Sequence, residues 1–210
     1  MNIASIILAR GGSKGILNKN IIDFCGKPLL LWTIDNCKDA GIQNIYVSSD
    51  DQDILSIAQN SGVETILRPN DISGDKATSE SGWLHALNII EDQKGAIDWI
   101  LAPQVTSPLR KAKDVSKGIE IAKQGEYDSL FSCSIAGDLF YWMYKNGKFD
   151  SINYDWKNRQ RKQDINDQYI ENGSFYLFRS EILKKRNNRF GGKIGMVEME
   201  FWQMFEIDYP

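Results

Sequence analysis

Histidine and cysteine are scarce in this sequence, and their scarcity excludes several kinds of chemistry. The one histidine, His85, lies inside a predicted helix, so no Ser-His-Asp or Cys-His arrangement for nucleophilic hydrolysis can be assembled. The three cysteines, Cys25, Cys37 and Cys133, are widely spaced and include no C-x-x-C pair. We therefore expect neither a disulfide framework nor a zinc site. We interpret all three as small buried apolar residues in a reducing cytoplasm.

Long apolar runs and basic blocks are also missing. No apolar segment approaches the roughly 20 residues that span a bilayer, and the N-terminus has no basic region before a hydrophobic core, so we expect no signal peptide and no membrane partner. The formal net charge is −3 without a lysine- or arginine-rich block, which argues against a nucleic-acid partner. With 42% hydrophobic and 25% charged residues, the composition is that of an ordinary globular protein.

Strand and helix patterns alternate through residue 135. This alternation is typical of βαβ units and predicts an α/β fold with a mainly parallel sheet and helices on both faces. The predicted strands are 3–9, 44–51, 63–69, 98–104 and 129–135, and the predicted helices are 28–41, 51–62, 79–93 and 112–125.

The alternation stops after residue 135. Segment 141–154 has the pattern of a β-hairpin that turns at Asn146-Gly147, and 155–168 is charged and weakly apolar. A strand pattern returns at 169–179. We predict one domain over residues 1–210, carrying a β-rich excursion at about 138–170 that no single core would bury.

The segment IILARGGSKGILNKN, residues 6–20, indicates a binding site. A buried strand ends there in a loop that contains three glycines, one hydroxyl and three cations: Gly11, Gly12 and Gly15; Ser13; Arg10, Lys14 and Lys19. The spacing matches neither G-x-G-x-x-G nor G-x-x-x-x-G-K-[ST]. A flexible turn with solvated cations is the alternative. Because neighbouring cations repel one another unless an anion joins them, we favour a site for a polyphosphate at the carboxyl end of this strand.

Nine motifs along the chain resemble those of the acylneuraminate cytidylyltransferases, the CMP-sialic acid synthetases. They are ARGGSKGI..KN (9–20), GKPLL.WTI (26–34), VSSDD (47–51), RP (68–69), D.A.SE (75–80), Q.TSPLR (104–110), RKQD (161–164), ENGSFY (171–176) and EID (206–208). The family usually has proline where this chain has Leu17. The resemblance implies a single Rossmann-like nucleotidyltransferase domain that joins CTP to an acidic nine-carbon sugar and releases pyrophosphate.

The resemblance also implies a nucleotide site. Arg10, Ser13 and Lys19 would be the main triphosphate contacts, with Arg10 and Lys19 taking part in catalysis, and Asn20 would lie near cytosine or ribose. The remaining nucleotide-binding residues implied are Ala9, Gly11, Gly12, Arg68 and Ser79. Ser79 is also a candidate helix N-cap.

A sugar site and a metal site follow from the same resemblance. Gln104 and Tyr176 would contact the acid sugar, whereas Arg110 is predicted to make a structural ion pair. Glu206 and Asp208 are two residues apart, so on an extended segment both point to one side and suit a shared Mg²⁺ (or Mn²⁺) ion. The family usually has two aspartates here, so Asp208 is the first ligand expected and Glu206 the second; Asp208 is also predicted to be catalytic.

The excursion corresponds to a dimerisation arm that, in the family, reaches into the neighbouring subunit's sugar site. The arm residues implied there are Arg161, Lys162 and Gln163, with Arg161 first because a lysine cannot make a bidentate contact to a carboxylate. We therefore expect a homodimer. Aromatic residues of the later strands would either line the sugar pocket or pack in the core: Phe140, Tyr141, Trp142, Phe175 and Tyr176.

Two other functions remain open. One is a synthetase for 3-deoxy-manno-octulosonate, whose family reads more like ARxxSxRLPGKPL after the first strand; the glycines of this loop and Lys19-Asn20 argue against it. The other is a non-catalytic nucleotide-binding protein on the same fold, which would be expected to have lost charges at Lys19 or Asp208. Within the family, three types of nonulosonic acid are candidate substrates: sialic, legionaminic and pseudaminic acid.

Overall fold

The computed structural model describes residues 1–137, 139–164 and 166–208. The strands in these ranges are β1 (Ile3–Leu8), β2 (Asp23–Phe24), β3 (Lys27–Pro28), β4 (Asn44–Ser49), β5 (Glu64–Leu67), β6 (Trp99–Pro103), β7 (Ser129–Ile135), β8 (Trp142–Lys145), β9 (Lys148–Ser151), β10 (Tyr169–Arg179) and β11 (Ile194–Glu198). The α-helices are α1 (Leu29–Asp39), α2 (Gln52–Asn60), α3 (Ser79–Lys94), α4 (Ala112–Lys123) and α5 (Ser180–Arg186).

The central sheet has seven strands in the order β11-β7-β10-β6-β1-β4-β5. Its neighbours pair in parallel except for β10, which is antiparallel to both β6 and β7. The prediction of an α/β fold with a mainly parallel sheet is confirmed. Parallel strands β1, β4, β5 and β6 present their carboxyl ends along one edge, where open α/β sheets bind ligands.

Helices cover both faces of the sheet. On one face, α1, α2 and α4 pack in a core that includes Leu30, Ile54 and Val115; on the other, α3 and α5 pack through Leu87 and Leu183. The continuous apolar runs of the central strands are explained by this double burial. No helix in the described part is long and apolar enough to cross a membrane.

Several short elements differ from the sequence prediction. The β2–β3 hairpin, helix α5 and strand β11 were not predicted.

The interpretation of Cys25 as buried was wrong: it is exposed at the hairpin turn with φ 52°, followed by Gly26 with φ 90°, whereas Cys37 and Cys133 are buried.

The excursion contains the predicted hairpin. Strands β8 and β9 pair in antiparallel fashion, and both turn residues have positive φ, 53° at Asn146 and 77° at Gly147, as a tight two-residue hairpin turn requires. Its large apolar side chains are exposed on this chain: Tyr141, Trp142, Met143, Tyr144, Phe149, Ile152 and Trp156.

Candidate active site

A cavity of about 560 Å³ opens at the carboxyl ends of β1 and β5, and we call it the first cavity. Three segments form most of its wall: the loop after β1, the loop between β5 and α3, and the end of the described chain at Asp208. The residues of this wall are Leu8, Arg10, Ser13, Lys14, Gly15, Lys19, Asn20, Arg68, Ile72, Ser73, Gly74, Asp75, Ala77, Thr78, Ser79 and Asp208. The predicted polyphosphate loop therefore borders a real cavity.

The first residues of the loop fix its direction. The N–H of Ala9 donates to the carbonyl of Ser48, which extends the sheet by one residue, and the N–H of Gly11 donates to Asp50 at 3.1 Å. A Cβ on Gly11 would lie 2.5 Å from an oxygen of Asp51, so glycine is needed for close approach to the loop after β4. Space around Gly12 is open. The Gly11 amide is thus already engaged by a carboxylate.

The cations of the loop are paired with a carboxylate from another segment. One oxygen of Asp75 lies 3.1 Å from Arg10 and the other lies 2.5 Å from Lys14. The hydrogen bond from Lys14, with the charges of both cations, lowers the pKa of Asp75. Sequence reasoning predicted that these cations require an anion but did not identify Asp75, although it belongs to the quoted D.A.SE motif.

Lys19 and Asn20 belong to a single 3-10 turn, Lys19–Ile21. The Lys19 ammonium is 2.7 Å from Asp208 and its side chain is only 17% exposed. Asn20 is buried and donates from its side-chain amide to the carbonyl of Arg10 at 2.8 Å, which closes the loop. Both residues line the first cavity.

Arg68 brings a buried cation to the same cavity. It is 5% exposed, donates from Nε to Ser73 at 3.0 Å, and lies 4.0 Å from Asp50. Burial lowers the pKa of Arg68, an effect that Asp50 opposes and Arg10 reinforces. A buried guanidinium with one carboxylate at this distance is incompletely neutralised, so it favours binding of a further anion.

The N-terminus of α3 opens on the first cavity. Thr78, not Ser79, is the N-cap, because its hydroxyl accepts the N–H of Ser81 at 3.2 Å. Ser79 is the first helical residue and lines the cavity, so the alternative of an N-cap role for Ser79 was wrong by one position. The free N–H groups and the dipole of a 16-residue helix attract negative charge to this point.

A second cavity, of about 460 Å³, lies between β6, β10 and the C-terminal segment. Its walls are Gln104, Glu171, Asn172, Gly173, Tyr176, Met204, Phe205 and Glu206. The register of β10 against β7 shifts between Glu171 and Tyr176, and Gly173 there has φ 66°. A Cβ on Gly173 would lie 2.6 Å from Glu206, so this irregular stretch and the C-terminal segment meet closely.

Two interacting carboxylates, Asp208 and Glu206, border the two cavities, and we call this place the junction. Asp208 lines the first cavity and Glu206 lines the second. The extended segment that carries them is held to the loop after β6, because the N–H of Ile207 donates to the carbonyl of Thr106 at 2.9 Å. Ile207 packs into the core between them. Glu206 accepts from Ser107 at 3.2 Å, and burial, with the neighbouring charge of Asp208, raises its pKa. The prediction that both carboxylates point to one side agrees with this arrangement.

Arg110 has a structural role, but the predicted ion pair was wrong. The side chain is buried, and its hydrogen-bond acceptors in the described part are neutral: the carbonyls of Gln104 and Ser174 and the side chains of Thr33, Asn36 and Ser174. Burial lowers its pKa to about 10. Arg110 fixes the backbone at Gln104, and so positions one wall of the second cavity.

The arm residues lie elsewhere. Arg161 and Gln163 are exposed on the excursion and line neither cavity of this chain, and the side chain of Lys162 lies outside the described part. Phe175 is fully buried in the core, while Tyr176 is buried at the wall of the second cavity. Six of the residues predicted for nucleotide binding therefore line the first cavity, apart from the arm, whereas Ala9, Gly11 and Gly12 do not line it; the six are Arg10, Ser13, Lys19, Asn20, Arg68 and Ser79.

A mainly parallel α/β sheet with a cationic cavity at the carboxyl ends of its strands is typical of nucleotide-binding enzymes. Solved structures share the fold. CMP:2-keto-3-deoxy-manno-octonic acid synthetase complexed with CTP superimposes with a TM-score of 0.71 and 15% identity, covering 100% of this chain and 94% of that one. The 4-diphosphocytidyl-2C-methyl-D-erythritol synthase of Anaerococcus prevotii gives a TM-score of 0.66 and 16% identity, covering 99% and 92%.

The chain belongs to the cytidylyltransferase family, whose model matches residues 4–209. It is 32% identical to N-acylneuraminate cytidylyltransferase A of Danio rerio over 99% of this chain and 48% of that protein. It is 33% identical to the pseudaminic acid cytidylyltransferase of Campylobacter jejuni over 82% of this chain and 76% of that protein. The chain thus spans about half the length of the first relative and three quarters of the second. The family predicted from the motifs is confirmed.

Proposed function

We propose that the protein transfers CMP from CTP to a nonulosonic acid of the sialic, legionaminic or pseudaminic type and releases pyrophosphate. The observation that carries the proposal is the carboxylate pair of Glu206 and Asp208, of which Asp208 lines the cationic first cavity and Glu206 the second. A sugar hydroxyl at this junction would face the α-phosphate of a nucleotide in the first cavity. Two relatives named for sialic and pseudaminic acid chemistry support the substrate class.

The triphosphate would replace carboxylates as the partner of the loop cations. Asp75 bridges Arg10 and Lys14, and its exposed position allows it to withdraw when a more highly charged anion arrives. Arg68 and the N-terminus of α3 would then complete the phosphate contacts, with Ser13 and Ser79 as hydroxyl donors. Asn20 closes the loop and would lie beside the ribose or base.

Lys19 is the residue proposed to act on the reacting phosphate. It is largely buried and already held by Asp208, so it would enter the reaction in a fixed position. A fixed cation stabilises the negative charge that develops on the α-phosphate and on the departing pyrophosphate, and no reorganisation is needed at that moment.

We also propose that Asp208, with Glu206 second, holds Mg²⁺ (or Mn²⁺). Among the described residues, no group of three or more acidic, histidine or cysteine side chains is arranged to hold a metal by itself. Magnesium commonly binds through one or two carboxylates plus substrate phosphates and water, and two adjacent carboxylates with Lys19 as their cation in the described part of the chain fit that requirement. When bound, the ion would neutralise phosphate charge and lower the pKa of the sugar hydroxyl.

The sugar would occupy the second cavity, against Gln104 and Tyr176. Its own carboxylate needs a cation, and the described wall of this cavity contains none. We propose that Arg161, with Lys162 and Gln163, reaches this site from a neighbouring subunit of a homodimer. The exposed aromatic residues of the arm provide an apolar surface for such an interface.

The free thiols of Cys25, Cys37 and Cys133 are consistent with the proposed cytoplasmic location.

Nucleotide choice tests the proposed function. With a nonulosonic acid and Mg²⁺, we expect pyrophosphate release from CTP to exceed release from UTP, ATP or GTP by at least about 100-fold in kcat/KM, since a site that hydrogen-bonds one base leaves polar groups unpaired with another. A coupled pyrophosphate assay measures this directly. Equal turnover with UTP would assign the chain to another branch of sugar nucleotidyltransferases. Turnover with 3-deoxy-manno-octulosonate alone would favour the octulosonate synthetase alternative.

Assembly is a separate prediction. Light scattering at micromolar concentration should give twice the monomer mass, and Phe149→Asp should reduce it to the monomer and abolish sugar turnover while CTP still binds. Phe149 is 69% exposed on the arm; Leu67, 59% exposed at the end of β5, provides the matched control, and Leu67→Asp should remain dimeric. A fully active monomer would contradict the proposal.

A further inference from the structure

An acidic sugar would be expected to bind in a cationic cavity, but the described wall of the second cavity is negatively charged. Its described wall carries two carboxylates, Glu171 and Glu206, and no lysine, arginine or histidine. Glu206 faces Asp208 and accepts a hydrogen bond from Ser107, so its contacts belong to the junction. Among the described residues Glu171 contacts neither of these groups, so a carboxylate at this position requires a separate explanation.

Glu171 is held in place by a buried tyrosine. The Tyr176 hydroxyl donates to Oε1 of Glu171 at 2.6 Å across the irregular stretch of β10, and Tyr176 is 5% exposed. Burial, reinforced by the hydrogen bond to Glu171, raises the pKa of Tyr176 to about 12. The phenol therefore keeps its proton at neutral pH and donates it to Oε1 of Glu171, and among the described residues no hydrogen bond occupies the second oxygen of Glu171.

Tyr176 is in turn fixed by a cation stacked between two rings. The Arg189 guanidinium lies 4.5 Å from the ring centre of Tyr176 and 4.8 Å from that of Trp83, and donates from Nε to Glu80 at 2.9 Å. The Phe190 ring meets Tyr176 edge-on at 5.8 Å. An exposed glutamate side chain normally samples many rotamers. Glu171 is instead held by Tyr176, which contacts Arg189, and Arg189 in turn donates to Glu80 in the first turn of α3.

We propose that Glu171 is a specificity-determining residue that accepts a hydrogen bond from a neutral donor on the acid sugar, an acylamino N–H or a hydroxyl. Tyr176 and Arg189 are its positioning residues. A carboxylate attracts such donors and repels the carboxylate of the sugar, so Glu171 also selects the orientation in which the acid group points away from it. This inference rests on the proposed function and adds the substituent that the site recognises.

The test compares three sugars that differ at one carbon: an acetamido compound, its hydroxyl analogue and its deoxy analogue. Wild-type protein should favour one of the donor-bearing sugars over the deoxy sugar by about 10- to 100-fold in kcat/KM, as expected for a hydrogen bond to a charged group. In Glu171→Ala, discrimination should fall to within about threefold, with an unchanged Kd for CTP by calorimetry. Tyr176→Phe should raise KM for the donor-bearing sugar more than it lowers kcat. Whether the acetamido or the hydroxyl compound is preferred identifies the donor.

Glu126, exposed on the loop before β7 and distant in sequence from the site, provides the control; Glu126→Ala should retain wild-type discrimination. Full discrimination in Glu171→Ala, in a variant that keeps the wild-type melting temperature and CTP affinity, would overturn the inference and leave the proposed function intact. If wild-type protein binds CTP but turns over none of the three sugars, the proposed function fails and this inference fails with it.

Discussion

Lys19→Ala should lower kcat by about 100-fold or more while changing the KM for CTP far less. Losing one preorganised group that faces developing charge typically has an effect of this size. The substitution also leaves Asp208 without the cation now 2.7 Å away, so the charge balance at the junction of the cavities is disturbed as well. Steady-state kinetics in CTP and in the sugar separate the two parameters.

Lys123 supplies the matched control for Lys19. Its ammonium lies 2.8 Å from Glu120 in an exposed pair on α4, remote from both cavities, so Lys123→Ala should behave like the wild type. A decrease confined to the KM for CTP in Lys19→Ala would mean that Lys19 contributes binding that is equal in the ground state and the transition state. That result would contradict the catalytic role.

Asp208→Asn should raise the Mg²⁺ concentration required for half-maximal activity and lower kcat, each by at least about tenfold, as is typical when a metal site is weakened. The amide keeps the shape of the side chain but removes its charge. Binding of Mn²⁺ followed by electron paramagnetic resonance, with CTP present, gives a readout independent of turnover. Glu206→Gln should have the smaller effect, because Glu206 already accepts from Ser107 and borders the other cavity.

Wild-type behaviour of Asp208→Asn across the Mg²⁺ titration would show that this carboxylate is not a ligand. The next candidates would be Asp50 and Asp51. Both have other contacts in the structure: Asp50 accepts from Gly11, and Asp51 accepts from the N–H groups of Asp53 and Ile54 at the start of α2.

The periodicity of apolar residues in the sequence predicted the strands and helices that bury continuous apolar faces. It missed the short elements that depend on pairing or packing with neighbouring elements. Strand β11 is only five residues long and includes Gly195, and it becomes a strand because it pairs with β7 at the edge of the sheet. Helix α5 has only seven residues, too few to give a clear period. The hairpin at Asn146-Gly147 was predictable because its turn chemistry is local.

In the candidate site, too, features formed by consecutive residues were predicted, whereas contacts between residues distant in sequence were not. The loop after β1 was recognisable, since its glycines and cations are consecutive, but the partners of those cations come from distant segments: Lys19 meets Asp208 across 189 positions of sequence. The neutral acceptors of Arg110 are likewise distant in sequence, so an ion pair was the wrong expectation. Glu171 is the first residue of the ENGSFY motif, but no role was assigned to it from the sequence, because its contact with buried Tyr176 is seen only in the structure.

Phosphorus-31 NMR of a reaction with CTP, a nonulosonic acid and Mg²⁺ tests most directly that the carboxylate pair unites a nucleotide site and a sugar site. We predict the loss of CTP with equal amounts of pyrophosphate and a single CMP-sugar diester, and no such product in Lys19→Ala or Asp208→Asn over the same period. Unchanged CTP with every nonulosonic acid offered would contradict the account. A CMP-sugar formed equally well by both variants would also contradict it.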